Sequence, residues 1–486
     1  MATLSDIKRI VVLMLENRSF DSMLGQLRTA SEAFNGLSGE ESNPLHDQAD
    51  VSVWTSSATD ALAMSTPTPD PGELWTDSNM QLFGLDGRPG YLPPTMNGFV
   101  NNYVRQTEQP STNYSPKSVM HYYSPAQLPV MSLLAQQFAV CDQWFASAPC
   151  QTWPNRFFLH TGSAGGYENN SPVHFPYLMN SVFNRLSEVG KPWKIYFHDF
   201  PQTLTLTRLW PHVENFRPFK EFLSDAEAGN LPAYSFIEPR YFPDIELPND
   251  QHPPHNVGMG EQLIASVYNA VRSSPQWKET LLIITYDEHG GCYDHAAPPL
   301  AIPPDTSNAK PFGFDRYGVR VPALLISPFI KAGTVLRVTP DRCLPHQGPP
   351  HPFDHTSVIS TLRKCFTLGP PLSNRDAVAP NLESVLNLAL PENDGPAAVS
   401  ALNYAATPGE LQDALNAPLN GMQKALHEAA AHLPNIENLQ QKESIFREIE
   451  THVESLVHGF LPQVPNHQTP ADALLFIKQQ LKSFGL

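Results

Sequence analysis

Basic residues, cysteines and long apolar runs are all scarce in this chain. Its 31 Lys and Arg stand against 48 Asp and Glu, a net charge of −17 at pH 7, which argues against a nucleic-acid backbone or an anionic membrane surface as a simple electrostatic partner. The five cysteines among 486 residues, Cys141, Cys150, Cys292, Cys343 and Cys365, form no CxxC pair and no metal-ligand spacing. Free thiols are therefore expected rather than a disulfide framework, with Cys141 to Cys150 the one pairing open to an exported chain. No stretch reaches the roughly 18 apolar residues that a membrane span needs. Residues 1–6 carry neither the basic nor the apolar region of a cleaved signal. The expectation is a soluble chain, cytoplasmic or exported by a route that leaves no signal in this sequence.

Proline, by contrast, is abundant: 49 of 486 residues, roughly twice the usual level of about 5 %. Long ordered loops follow. Between them lie two uninterrupted apolar runs, Ile10-Val11-Val12-Leu13-Met14-Leu15 and Leu281-Leu282-Ile283-Ile284 with Thr285-Tyr286. Such runs suit strands covered on both faces, as in a parallel sheet flanked by helices. The first ends in Glu16-Asn17 and the second in Asp287-Glu288-His289. Ligands in open α/β sheets bind beyond the carboxyl ends of the strands. If the two strands are neighbours, Glu16, Asn17, Asp287 and Glu288 offer hard oxygen ligands to one divalent cation. Either cluster alone reads better as a solvated strand end with capping side chains; the pair together shifts the balance toward a shared ion.

Four ordered segments narrow the choice: Glu16-Asn17-Arg18-Ser19-Phe20-Asp21, Thr152-Trp153-Pro154-Asn155-Arg156, Asp287-Glu288-His289-Gly290-Gly291 with Tyr293-Asp294-His295, and Phe353-Asp354-His355-Thr356-Ser357. Together they resemble the phosphoesterase family of bacterial phospholipases C and acid phosphatase A, within the alkaline phosphatase superfamily, across about residues 7–366. The resemblance implies a doubly wound α/β fold with a mostly parallel sheet. It also implies Thr152 as nucleophile, Glu16, Asn17, Asp287, Glu288 and Thr152 around one metal ion, and His252 and His355 as catalytic histidines beside Asn17. Ca, Mg, Mn and Zn are not distinguished. Arg156 is either a phosphate clamp or an ion-pair partner, and His289 and His295 stand on the substrate side. His255 competes with His252, and a further histidine that the family carries upstream of the nucleophile has His121 as its candidate, by proximity alone. Without the resemblance, Thr152 reads as a helix cap before Trp153-Pro154. No Cys-x-Pro-x-Arg segment exists to form the formylglycine of a sulfatase.

The organisation expected is a catalytic domain over 1–390, a Pro/Gly-rich linker over 391–408 and a helical region over 409–486. Within the domain, 36–110 is polar and aperiodic, an insertion that packs over the site or ornaments one face; its His46 and Asp47 are either ligands or surface residues. Strands are expected at 193–197, 233–237 and 320–328, and helices at 260–273, 410–432, 443–458 and 470–484. The apolar stripe of Leu411, Leu415, Met422 and Leu426 reads as packing onto the main domain rather than a membrane-seeking face. The partner is a phosphoester, with phospholipid favoured, and no nucleic acid. The function expected first is phospholipase C-type cleavage of a phosphodiester, then broad phosphomonoesterase activity; a non-catalytic binding protein on the same fold is the reading from another class.

Overall fold

The run after Arg9 becomes the middle of the molecule. In the computed structural model, which describes residues 1–85, 93–106, 115–306, 312–338, 351–439, 441–460 and 462–486, Arg9–Leu15 is strand β1, buried from Ile10 onward. Cys343 and the parts of the insertion at 86–92 and 107–110 lie outside the described residues. The other strands are β2 (Ser42–Asn43), β3 (Val51–Ser52), β4 (Ala139–Cys141), β5 (Trp193–Phe197), β6 (Phe216–Pro218), β7 (Tyr234–Ile237), β8 (Thr280–Tyr286), β9 (Ala323–Ile326) and β10 (Thr334–Leu336). Eight of them form one sheet in the order β10-β4-β9-β8-β1-β7-β5-β6, while β2 and β3 pair separately. Only β9 runs against its neighbours β4 and β8. The sheet is thus doubly wound and mostly parallel, and both its faces are covered, which is why its central strands tolerate no polar alternation.

Strands β1 and β8 lie side by side, with Leu15 opposite Tyr286. The next residues, Glu16 and Asp287, therefore leave the sheet at the same edge, and the Asp287 backbone N–H donates to Leu15 O at 3.2 Å. The helices are α1 (Phe20–Leu24), α2 (Trp75–Phe83), α3 (Phe99–Gln106), α4 (Pro129–Gln137), α5 (Thr152–Thr161), α6 (Val182–Glu188), α7 (Phe219–Glu227), α8 (Val257–Ser273), α9 (Thr356–Phe366), α10 (Asn374–Val378), α11 (Pro408–Asn416), α12 (Gly421–Ala430), α13 (Lys442–Val457) and α14 (Pro470–Ser483).

Two expected elements change. The strand over 320–328 shortens to β9 because Pro322 and Pro328, which cannot donate to a ladder, bracket it. The helix over 410–432 divides at Ala417-Pro418: proline lacks the N–H and clashes with the preceding turn. Asn420 then restarts the helix as an N-cap, accepting from Gln423 N at 2.7 Å. The apolar residues of these last helices, Met422, Leu426, Ile449, Leu474 and Ile477, are buried in the same hydrophobic cluster as the sheet. Cys141, Cys150, Cys292 and Cys365 are all free thiols, so Cys141 and Cys150 are not paired. No helix among the described residues is long and apolar enough to cross a membrane.

Candidate active site

Asn17 is the junction of the site. It sits just past β1 with φ of 57°, a left-handed conformation that asparagine tolerates better than most residues. This tight exit sends three of its groups to three different segments. The backbone N–H donates to Asp287 Oδ1 at 3.0 Å, Nδ2 donates to Glu73 Oε1 at 2.5 Å, and Oδ1 accepts from Thr152 Oγ1 at 3.2 Å. Gly290 is required opposite: a Cβ there would stand 2.1 Å from Asn17 O.

Thr152 opens α5 and is fully buried. The N–H groups of a first helical turn have no intrahelical acceptor; here the Trp153 N–H donates to Asn170 Oδ1 at 2.8 Å and Pro154 has none, so the Thr152 N–H is the one this end offers an anion. Asn155 fixes the loop before it, with Nδ2 donating to Cys150 O at 2.8 Å and Oδ1 accepting from Ala148 N at 3.0 Å. One turn on, Arg156 is enclosed by carboxylates: Nε to Asp287 Oδ2 at 3.1 Å, Nη2 to Glu16 Oε1 at 3.2 Å and Nη1 to Glu238 Oε2 at 3.8 Å. Of the two roles open to it, the ion pair is the one this geometry displays.

Glu16, Asp287 and Glu288 are all fully buried. Burial, partly offset by Arg156, raises the pKa of Glu16 well above the carboxylate range and raises that of Asp287. Burial and then the charges of Glu73 and Asp287 push Glu288 well up. Glu16 Oε2 and Glu288 Oε1 have no hydrogen-bond partner among the described residues. A buried carboxylate oxygen left bare costs several kcal/mol, and a cation is the simplest group to relieve it.

The histidines divide. Burial opposes a charge on His252, yet the carboxylates of Asp70, Glu73 and Glu16 hold its pKa well above the ordinary imidazole value. Its Nδ1 donates to Pro253 O at 2.6 Å and its Nε2 lies 3.3 Å from Glu73 Oε1. His255 pairs instead with Asp250, at 2.7 Å. His355 accepts at Nδ1 from Trp144 Nε1 at 3.3 Å and donates from Nε2 to Asp287 O at 2.6 Å; burial lowers its pKa to about 4. Both its nitrogens are thus taken, and it braces Asp287 from behind. His289 lies between Glu288 Oε2 at 3.1 Å and Gln81 Oε1 at 2.6 Å, its pKa lowered by burial to about 4. His121 packs between the rings of Trp54 and Tyr123, with centroids at 4.6 and 4.7 Å, and no contact joins it to Thr152 or the carboxylates among the described residues. His46 and Asp47 are surface residues, their side chains 70 % and 85 % exposed.

Among the described residues, two groups of three side chains have ligand atoms within 4.8 Å of one another: Asp70, Glu73 and His252, and Asp21, Asp294 and His295. The carboxylates of Glu16, Asp287 and Glu288 are not such a group; the Arg156 guanidinium pairs with the first two. Asp70 and Glu73 come from the insertion that the sequence allowed over the site, but neither residue was singled out there; His46 and Asp47 were. The one signal was a pair of acids flanking Pro71-Gly72 in a stretch otherwise rich in Ser and Thr.

Buried acidic and histidine groups able to hold a metal ion, a hydroxyl at a helix start and a strand-end amide make a chemically coherent cluster. Comparison with known proteins gives it a lineage. The chain is 39 % identical over 82 % of its length to non-specific phospholipase C3 of Arabidopsis thaliana, covering 77 % of that protein. It is 26 % identical over 80 % of its length to phospholipase C A of Mycobacterium tuberculosis, covering 79 % of it. Both plant and bacterial proteins are thus among its relatives, so the resemblance is not to bacterial enzymes alone. A solved structure described as a protein in the alkaline phosphatase superfamily from Vibrio parahaemolyticus overlaps 52 % of this chain and 63 % of its own, at 12 % identity and a TM-score of 0.29; the fold described above stands on its own sheet order. The model of the Phosphoesterase family matches residues 7–369, three quarters of the sequence and every strand that feeds the cluster, so the chain belongs to that family and is a phosphoric ester hydrolase.

Proposed function

We propose that this chain is a metal-dependent phospholipase C-type enzyme that cleaves a phosphodiester, with Thr152 as the nucleophile. The observation that carries the reading is the Thr152 hydroxyl at the start of α5, 3.2 Å from Asn17 Oδ1, on the residue whose own N–H holds Asp287 at 3.0 Å. The names of the relatives support the substrate class. The oxygen donors present fit a hard divalent cation: Glu16 Oε2 and Glu288 Oε1 are buried without partners, and Asn17, Asp287 and Thr152 adjoin them.

An alcohol is a weak nucleophile at neutral pH because it stays protonated. A divalent cation bound to these oxygens lowers the hydroxyl pKa and offsets the charge that gathers on the phosphoryl group. Asn17 aligns the Thr152 oxygen, and the Thr152 N–H at the start of α5 faces the phosphoryl oxygens, since the Trp153 N–H is given to Asn170 Oδ1 and Pro154 has none. Thr152 gives up its hydroxyl proton to solvent, and its Oγ forms a bond to phosphorus while the bond to the lipid alcohol breaks. His252, charged and donating at Nε2, supplies the proton that the leaving oxygen needs. Water then attacks the phosphothreonine, the P–Oγ bond breaks, and the phosphorylated head group leaves with Thr152 restored. His355 holds Asp287 in place throughout.

Hydrolysis of p-nitrophenyl phosphate, p-nitrophenylphosphorylcholine and phosphatidylcholine in parallel, with and without chelator, tests this. Turnover of the two diesters that chelation abolishes and added metal restores is expected. A preference for the monoester would make the chain a phosphatase, and activity that survives chelation would remove the metal.

A further inference from the structure

The insertion brings one carboxylate to the nucleophile's own hydrogen-bond partner. Glu73 Oε1 accepts from Asn17 Nδ2 at 2.5 Å and lies 3.3 Å from His252 Nε2, while Asn17 Oδ1 receives the Thr152 hydroxyl at 3.2 Å. A single amide therefore links Glu73 to the reacting oxygen. The Glu73 side chain is only 9 % exposed, so water screens its charge poorly. It also differs from Glu16 and Glu288, each of which keeps a bare oxygen: the oxygen that Glu73 turns to the site already has two N–H donors and calls for no cation.

We propose that Glu73 is a specificity-determining residue, turning this site toward phosphodiesters and away from phosphomonoesters. The inference rests on the reading of Thr152 as the nucleophile. A phosphodiester positioned for attack brings two non-bridging oxygens and a single negative charge. A monoester near neutral pH brings a third terminal oxygen and a charge approaching −2. That third oxygen needs a further donor, and the amide N–H of Asn17 is committed to Glu73, while the Nε2–H of His252, close to Glu73 at rest, goes to the leaving oxygen. The additional charge also meets a carboxylate rather than a donor. Donor supply and electrostatics thus act in the same direction, and both act through one residue that the catalytic strands do not carry.

The test is a comparison of kcat/KM on p-nitrophenylphosphorylcholine and p-nitrophenyl phosphate for the metal-loaded full chain, its Glu73→Gln variant and its Glu73→Asp variant, with bound metal measured for each. Glu73→Gln is expected to lower the diester-to-monoester ratio at least tenfold and to bind inorganic phosphate at least tenfold tighter by calorimetry, with Glu73→Asp keeping the wild-type ratio. An equal loss on both substrates, unchanged phosphate binding, or a loss of metal in step with activity would overturn the assignment. Wild-type protein gives a variant-free check: dimethyl phosphate should inhibit at lower concentration than inorganic phosphate at pH 8, and the reverse order would also overturn it. Full activity in Thr152→Ala would sink the nucleophile reading instead, leaving the phosphate-binding arm to judge Glu73 alone.

Discussion

Two acidic clusters grow from the same two segments of chain, a few residues apart, and they are built to opposite specifications. In the outer one, Asp21 Oδ1 meets Arg320 Nη2 at 2.9 Å, and Asp21 Oδ2 accepts from His295 N at 2.7 Å and Nδ1 at 2.6 Å. Asp294 Oδ1 accepts from Arg320 Nε at 3.0 Å and Asp294 Oδ2 from Asp21 N at 3.1 Å. Every carboxylate oxygen there is satisfied. In the inner cluster Arg156 neutralises part of the charge, and Glu16 Oε2 and Glu288 Oε1 stay bare. The outer cluster, although its atoms are close enough for a metal, already holds a guanidinium where an ion would sit. The inner one keeps the deficit that binding removes. Composition is nearly the same in both; satisfaction of the polar atoms separates a brace from a site.

The sharpest way to break this contrast is to remove the hydroxyl that Asn17 holds. Thr152→Ala is expected to lower kcat by about 10⁴-fold or more, ~5 kcal/mol of transition-state stabilisation, while its melting temperature stays within a degree or two of wild type. A loss of activity matched by a loss of folding in circular dichroism would deny Thr152 a chemical role. In the outer cluster the order reverses. Arg320→Met strands Asp21 and Asp294 in the interior, and breaking a buried pair in that way costs about 3–5 kcal/mol of stability. Urea denaturation should register that cost, with a clear fall in the midpoint. An Arg320→Met protein as stable as wild type would show the brace to be dispensable.

A smaller effect separates the clusters again. Glu288→Gln removes a buried acid whose Oε1 has no partner, so stability should hold or rise, while activity and metal affinity fall by about 10- to 100-fold. Chelator titration followed by activity measures both. Destabilisation by this change would mean that Glu288, like Asp21, belongs to the scaffold.

What the sequence made readable follows from where the interactions are local. The apolar runs before Glu16 and Asp287 name a buried strand unambiguously, and two such strands in one sheet put their exits together, as the pairing of Leu15 with Tyr286 does. Thr152 was readable as a candidate nucleophile through the resemblance alone; its reading as a helix cap fails, because Gln151 is the N-cap and Thr152 is the first residue of α5. Glu73 was not readable: it reaches Asn17 from inside the aperiodic insertion, 56 residues along the chain, and nothing local encodes that meeting. The division of labour among the histidines was equally hidden, since His355 turns to a backbone oxygen 68 residues away. The same holds for Arg320, which closes the outer cluster from 299 residues beyond Asp21. By contrast the break at Pro418 was written in the sequence; the long apolar stripe through Met422 and Leu426 outweighed it in the reading, and the missing N–H decided it in the fold.

The smallest effect concerns pH. In the outer cluster burial works against a charged His295, but its bond to Asp21 and the charges of Asp21 and Asp294 raise its pKa above the usual 6.5. Burial raises Asp294 to about 6, against the pull of Arg320. A group whose pKa is raised on folding gives stability that is complete below its unfolded value and disappears as pH climbs through the folded one. Both groups therefore have the same sign: the Asp294 contribution fades between about pH 4 and 6, and that of His295 from pH 6.5 upward. His295 is about a quarter exposed, so solvent screening keeps its share near ~1 kcal/mol or less. His295→Gln should accordingly melt below wild type at pH 6 and converge with it by pH 9. A gap that widens with pH would mean that His295 is neutral in the fold, and that Arg320 alone holds the outer carboxylates closed.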